Sequence, residues 1–420
     1  MKIEAAKILV VGMERSGRAA FAFLHAHGAD VTATDLKPQD VDKFRIQTGE
    51  LFDEPWETIV LSPGVPADLP PLNRARARGV NVIGEVELAA PFLKGPVIGI
   101  TGSNGKTTTT SLVGHILQQA GVAAQVGGNI GTPVIAMAEA SDPNQWNVLE
   151  LSSFQLETIR TFRAHVAVCL NVTQNHLDRH YTFENYASAK GNLFRTQKPG
   201  DYAVLNADDA TCRSFAALSA GTPVWFSAKN IEELMPASEI PIPGMHNVEN
   251  VMAAAAVCRI AGVANPDIAA AVRTFKAVEH RLEFVTEING VSFYNDSKAT
   301  SVDATMKALD SFEGGLWVIL GGKDKGSDYT ILRHRLSRKA KAVLLIGAAE
   351  DKIAEAVEGA TRIIRSGTLE KAVATAWAEA ERGDTVLLAP ACASFDQFKS
   401  YEDRGKVFKD LVRGLGGAKA

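Results

Sequence analysis

Short apolar runs alternating with helical patterns along the whole chain predict an α/β protein with mainly parallel sheets. Two glycine-rich turns, Gly12–Gly17 and Gly102–Gly105, each follow such a run directly and start separate blocks of the alternation. A third block begins near Val278. The expected architecture is therefore three domains: a Rossmann-like N-terminal domain over residues 1–93, a central P-loop ATPase domain over 94–277 and a Rossmann-like C-terminal domain over 278–420. The runs that carry this reading are Ile8–Val11, Thr58–Leu61, Val97–Thr101, Asn147–Leu151, Val166–Leu170, Tyr202–Leu205, Leu316–Leu320, Val343–Ile346 and Thr385–Leu388.

A chain of 420 residues, 46% hydrophobic and 22% charged, has the composition of a soluble globular protein. A net charge of −4 provides no global basic field for nucleic acid or an anionic membrane, so any phosphate must be held locally. Met1–Lys7 running straight into Ile8–Val11 does not read as a secretory signal, and no apolar stretch reaches membrane-spanning length. The expectation is a cytoplasmic protein. Cys169, Cys212, Cys258 and Cys392 are widely spaced without a C-x-x-C pair, which argues against zinc and against a disulfide framework. Cys392 stands apart because it lies in a loop-like stretch.

In the first block the strand Ile8–Val11, the turn Gly12-Met13-Glu14-Arg15-Ser16-Gly17 and Asp35 after a second strand have the order of a dinucleotide-binding unit. Glu14 occupies the middle-glycine position, where a carboxylate would repel a pyrophosphate brought close. A nicotinamide or flavin cofactor is therefore not expected. In the second block Val97–Thr101 leads into Gly102-Ser103-Asn104-Gly105-Lys106-Thr107-Thr108, a short form of the phosphate loop, because Ile100 stands where the full pattern wants glycine. Gly102 and Gly105 let backbone N–H groups turn toward phosphate, Lys106 supplies a point charge, and Thr107 or Thr108 a hydroxyl for Mg²⁺. A plain turn before a capped helix would not need Lys106.

Glu150 ends one strand and His176 follows another, so both are placed where a parallel sheet presents residues to its ligand. Glu150 is a hard oxygen ligand suited to Mg²⁺; His176 alone reads equally as a hydrogen-bonded loop histidine. Lys190, on an expected helix over Phe183–Phe194, reads from periodicity as a solvated lysine. A Pro-rich stretch, 236–244, leads into an expected helix Asn247–Ile260, with Asn247 as its N-cap and Asn250 as the next exposed amide. In the third block Asn295–Thr300, Gly321–Gly326 and Ala389–Phe398 each follow a strand, Val291–Tyr294 being the first, and together they predict a second polar crevice.

These segments resemble the Mur ligases, the ATP-dependent amide-forming enzymes of bacterial peptidoglycan synthesis. The resemblance covers nearly the whole chain: Thr101–Thr108, Gly127–Gly131, Leu149–Glu157, Asn171–Asp178, His280–Glu283, Asn295–Thr300 and Pro390–Phe398. Leu151–Glu157 and Ala391–Phe398 resemble the glutamate-adding branch in particular. The resemblance implies that Arg15, Ser16, Asp35, Leu36, Ser62, Gly64 and Asn129 hold a UDP-sugar substrate, UDP-N-acetylmuramoyl-L-alanine. It implies that residues 102–108 with Asn247, Asn250, Arg281 and Asp296 hold ATP, and that Thr107, Glu150 and His176 face Mg²⁺. It also implies that Lys298, Thr300, Lys325, Ser394 and Phe395 hold D-glutamate. Lys190 matches a lysine carbamylated by CO₂ in this family, and Lys106, His176 and Lys190 are its expected catalytic residues. A monomer working on small molecules is implied as well. The chain departs from the family in carrying Tyr401 in place of the usual Phe and in a shortened stretch between Phe226 and Gly244.

Overall fold

The computed structural model describes residues 3–276 and 278–415, so Ala277 and the expected polar tail at 416–420 lie outside the described residues. Among the described residues, seventeen strands form three sheets. The first contains β1 (Lys7–Val11), β2 (Asp30–Asp35), β3 (Phe44–Ile46), β4 (Thr58–Leu61) and β5 (Asn81–Gly84), in the order β3-β2-β1-β4-β5. The second contains β6 (Val97–Thr101), β7 (Ala124–Gly128), β8 (Trp146–Glu150), β9 (Val166–Cys169), β10 (Tyr202–Asn206) and β11 (Thr222–Phe226), in the order β11-β10-β9-β6-β8-β7. Both are parallel throughout.

The third sheet runs β12-β13-β17-β14-β15-β16, with β12 (Glu283–Ile288), β13 (Val291–Asn295), β14 (Leu316–Gly321), β15 (Ala340–Ile346), β16 (Arg362–Gly367) and β17 (Thr385–Leu388). Here β12 pairs antiparallel with β13 through the tight turn Asn289-Gly290, both at positive φ, and the other pairs are parallel. The central strands are buried on both faces, as helices on both sides of a parallel sheet require. Ile8 and Val10 of β1 join one apolar cluster while Leu9 and Val11 join another. Val318 and Leu320 likewise separate from Trp317 and Ile319 on β14. The period-two alternation thus feeds two cores per sheet.

The chain divides into two compact units, Met1–Pro236 with Glu249–Arg273, and Ala237–Val248 with Thr274–Ala420. Among the described residues no helix is long and apolar enough to cross a membrane. The helix expected from Asn247 begins at Met245, so Asn247 sits inside its first turn rather than capping it. Its side-chain amide instead donates back to Pro243 O at 2.7 Å.

Candidate active site

In an open parallel sheet, ligands bind beyond the carboxyl ends of the strands where the winding reverses. The first sheet reverses between β1 and β4, and there the Gly12 turn meets the Ser62 loop: Ser62 Oγ donates to Gly12 O at 2.6 Å. Gly17 is required by close approach, since a Cβ there would stand 1.8 Å from Gly12 O. The Asp35 carboxylate accepts the Met13 and Lys37 N–H groups at 2.7 and 3.2 Å and fixes the entry to helix Arg15–Ala26. Around it Arg15, Leu36 and Gly64 are exposed, Ser16 is half-buried and Ser62 is buried. The Arg15 guanidinium reaches Asn129 O at 3.4 Å, which joins this turn to the loop after β7.

The second sheet reverses between β6 and β9, and the glycine-rich loop 102–105 lies at that point. It is clamped by Asn171, just past β9. Ser103 N donates to Asn171 O at 2.8 Å, Asn104 N to Asn171 Oδ1 at 2.9 Å, and Asn171 Nδ2 to Asn104 O at 3.2 Å. Ser103 Oγ donates to Thr173 O at 3.0 Å and lies 3.0 Å from the Tyr186 hydroxyl. Gly105 has φ +83° as it enters helix Lys106–Gln119, and a Cβ there would stand 2.2 Å from Asn250 Oδ1. Only glycine suits both conditions.

Asn250 is therefore not the exposed amide its spacing suggested. It is buried, accepts the Thr109 hydroxyl at 3.2 Å and supports the loop from behind. Lys190 also departs from its periodicity reading: it is 1% exposed, and its Nζ donates to Gly102 O at 2.9 Å and lies 4.6 Å from the Tyr186 ring centre. Lys106 Nζ donates to the same carbonyl at 2.7 Å and to Ser103 O at 3.0 Å. Burial first, and the Lys106 charge second, push the Lys190 amine well below the usual lysine range.

Glu150, at the end of β8, is 2% exposed. Its Oε1 accepts Asn129 Nδ2 at 2.8 Å, while its Oε2 is buried without a hydrogen-bond partner. An orphaned, buried carboxylate oxygen suits a hard cation, and Thr107 and Thr108 in the first turn after the glycine-rich loop are buried hydroxyls of the same donor class. His176 is exposed, has φ +54°, and meets the Phe154 ring edge-on at 4.8 Å. Among the described residues no three His, Cys, Asp or Glu side chains converge. The partnerless Glu150 Oε2 is the oxygen donor that Mg²⁺ takes, its shell completed by water and phosphate.

In the second unit, the loops after β13, β17 and β14 share one sheet edge, in that spatial order. Backbone bonds between Lys323 and Ala393, at 2.8 and 3.1 Å, tie two of them together. Arg404, fully buried on helix Tyr401–Leu415, donates to Ser297 Oγ at 2.9 Å, Ser297 O at 2.8 Å and Cys392 O at 3.3 Å. It binds the 295–300 loop to the 390–398 loop and was not singled out by sequence. Cys392 lies in the loop after β17, as its sequence suggested, but is buried there, with the Tyr329 hydroxyl 3.0 Å from its Sγ. Lys325 and Phe395 are exposed, Lys298 and Thr300 half-buried, and Ser394 buried. Arg281 and Asp296 also lie in this unit. Burial pushes the Asp296 carboxyl up to about 6, against the pull of Arg281 and the Leu282 N–H.

Family models match three successive stretches: the N-terminal domain of MurD-like Mur ligases over residues 6–84, the Mur ligase middle domain over 100–237 and the Mur ligase glutamate ligase domain over 280–392. A UDP-N-acetylmuramoylalanine--D-glutamate ligase of Solibacter usitatus is 62% identical over 439 residues, with 99% of each chain covered.

The chain belongs to the Mur ligase family.

Another ligase of that name, from Acidobacterium capsulatum, is 50% identical and covers 100% of this chain and 99% of its own. Among solved Mur ligases, a UDP-N-acetylmuramate-alanine ligase of Thermotoga maritima superposes with a TM-score of 0.61 at 18% identity, over 97% of this chain and 99% of that one. A MurF ligase from the same organism, solved with ADP, gives 0.61 at 16% identity over 98% and 96%. At such identity these two speak for a shared three-domain fold.

Proposed function

We propose that this Mur ligase joins D-glutamate to UDP-N-acetylmuramoyl-L-alanine at the expense of ATP, forming an amide bond in peptidoglycan precursor synthesis. The observation that carries the reading is the loop at 102–105, where two lysine Nζ atoms converge on Gly102 O and Glu150 keeps an unpaired oxygen. Full-length relatives named for this reaction support it.

The first step has the substrate carboxylate attack the γ-phosphorus of ATP. An O–P bond forms, the β–γ bridge breaks, and ADP leaves an acyl phosphate. Backbone N–H groups of 105–108 and the Lys106 ammonium offset charge as the phosphoryl group moves. Thr107, Glu150 and His176 would hold Mg²⁺, which neutralises phosphate charge when bound. Lys190, if carbamylated by CO₂, adds a carboxylate to that set; its depressed proton affinity supplies the neutral amine that CO₂ requires. In the second step the glutamate amine attacks the acyl carbon, a C–N bond forms, and phosphate departs with the old C–O bond broken.

Arg15, Ser16, Asp35, Leu36, Ser62, Gly64 and Asn129 are assigned to the UDP-sugar. Asn247, Asn250, Arg281 and Asp296 are assigned to the adenosine end of ATP, Asn250 acting through its support of the loop. Lys298, Thr300, Lys325, Ser394 and Phe395 are assigned to glutamate. Domain limits at 1–93, 94–277 and 278–420, a cytoplasmic location and a monomeric state complete the proposal.

Phosphate release from ATP with UDP-N-acetylmuramoyl-L-alanine and single amino acids tests it. D-glutamate should stimulate release strongly. Stimulation by L-glutamate, meso-diaminopimelate or lysine instead would move the chain to another ligase specificity.

A further inference from the structure

A cleft of about 730 Å³ opens far from the loop at 102–105. Its walls are edge strand β5, the connection 90–96 between the first and second sheets, and the loop 160–165 that enters β9. Val97 and His165, among its lining residues, stand at the amino ends of β6 and β9. The glycine-rich loop stands at their carboxyl ends, roughly 13 Å away by strand rise.

The cleft lining carries more positive than negative charge. Lys94, Arg160, Arg163 and His165 line it. The one lining carboxylate, Glu87, is spent within the fold: it accepts the N–H groups of Arg160, Thr161 and Phe162 at 2.7 to 3.1 Å and the Thr161 hydroxyl at 2.6 Å. Asp201 pairs with Arg163 at 2.7 Å and with His165 at 3.0 Å. Arg160 donates to the neutral Asn81 Oδ1 and Val82 O at 3.3 and 3.2 Å. Among the described residues no carboxylate pairs with Lys94 or Arg160. Between these cations the apolar surface comes from exposed Pro91 and half-buried Ala90 and Leu93, with Ile83, Leu88, Val97 and Phe162 buried beneath it.

We propose that this cleft is a second ligand site, for an organic anion with an apolar ring or chain and a carboxylate, sulfonate or phosphate head. The volume lies in the range of small-molecule sites, and the mixture of apolar wall with few charged groups is what such ligands need. The head lies between Lys94 and Arg160, and the body lies on Pro91 and Leu93. Lys94 belongs to the connection joining two sheets and Arg160 to the loop that enters β9, so an occupant holds that connection to the 160–165 loop. The site is independent of the ligase assignment.

Calorimetry on the full chain, with naphthalene-1-sulfonate as probe and ATP with magnesium at saturation, tests it. One binding event is expected, at least tenfold tighter than for neutral 1-naphthalenemethanol or for inorganic sulfate. Lys94→Glu combined with Arg160→Glu should weaken it at least tenfold, and Ala90→Trp, which fills the cleft, should abolish it with an unchanged melting curve. Absence of binding to the unaltered chain, displacement of the probe by ATP, or binding indifferent to Ala90→Trp overturns the proposal, whether or not the double variant folds.

Discussion

Lys190 is the residue whose chemistry depends most on its surroundings. An ammonium there would be buried, a few ångströms from Lys106, with only carbonyl and ring contacts among its described bonds. Charge repulsion and desolvation both favour the neutral amine, and a carbamate would convert the position from repelling a cation to attracting one. Lys190→Gln is expected to lower turnover by about 10²- to 10³-fold, the usual loss of one preorganised electrostatic group. It should also remove a ¹³C-carbamate resonance seen in bicarbonate; no such resonance in the unaltered chain would sink the carbamate assignment. Glu150→Gln keeps an oxygen for Asn129 but removes the charge, and turnover should fall by a similar factor with the melting temperature held or raised. The sequence held a signal for Lys190 that the solvated reading passed over. Tyr186, Lys190, Leu193 and Phe194 fall at helical spacing on one buried stripe, and a lysine inside such a stripe is not a surface lysine.

At the scale of elements, Gly105 and Asn250 form one device. The left-handed turn and the amide behind it fix the loop before any nucleotide arrives. Gly105→Ala places a methyl within 2.2 Å of Asn250 Oδ1 at a φ that alanine avoids, so ATP affinity should drop by at least tenfold while the β6 core stays intact. Unchanged nucleotide binding in that variant would show that the loop is not the ATP cradle. Arg404 acts similarly in the second unit: its planar fork reaches two loops, and Lys cannot reproduce that geometry. Arg404→Lys should raise KM for glutamate at least tenfold with KM for ATP nearly unchanged; equal changes in both would reduce the residue to a general stabiliser. Strands β3, β5, β7, β11, β12 and β16, absent from the sequence reading, are the two edges of each sheet. An edge strand can expose one side, so Phe44-Arg45-Ile46 or Glu283–Ile288 need not show the apolar run that betrays a central strand. Central strands were legible because burial on both faces leaves polar residues few places to go.

Across the whole molecule, the first and second sheets are joined by two carboxylates on the short helix Glu85–Ala89. Glu87 caps the N–H groups of 160–162, and Glu85 Oε1 accepts Ile135 N at 2.6 Å at the start of helix Val134–Ala138. Neither was read from sequence, because a carboxylate's partner 50 or more residues away leaves no local pattern. Glu85 Oε2 is buried without a hydrogen-bond partner, and burial pushes the carboxyl up to about 7 from an ordinary 4.5. The folded chain thus binds this proton more tightly than the unfolded chain does. Unfolding releases it between pH 4.5 and 7, so stability falls as pH rises through that window, by about 3 kcal/mol at most, and is level above it. Glu85→Gln retains the acceptor for Ile135 and loses the titration. Its melting temperature should therefore gain on the unaltered chain by several degrees more at pH 8 than at pH 5, since 1 kcal/mol moves a domain of this size by roughly 2–4 °C. Parallel pH curves for the two proteins would mean that the charged carboxylate is solvated in the fold, and the joint between the sheets would then owe nothing to a buried proton.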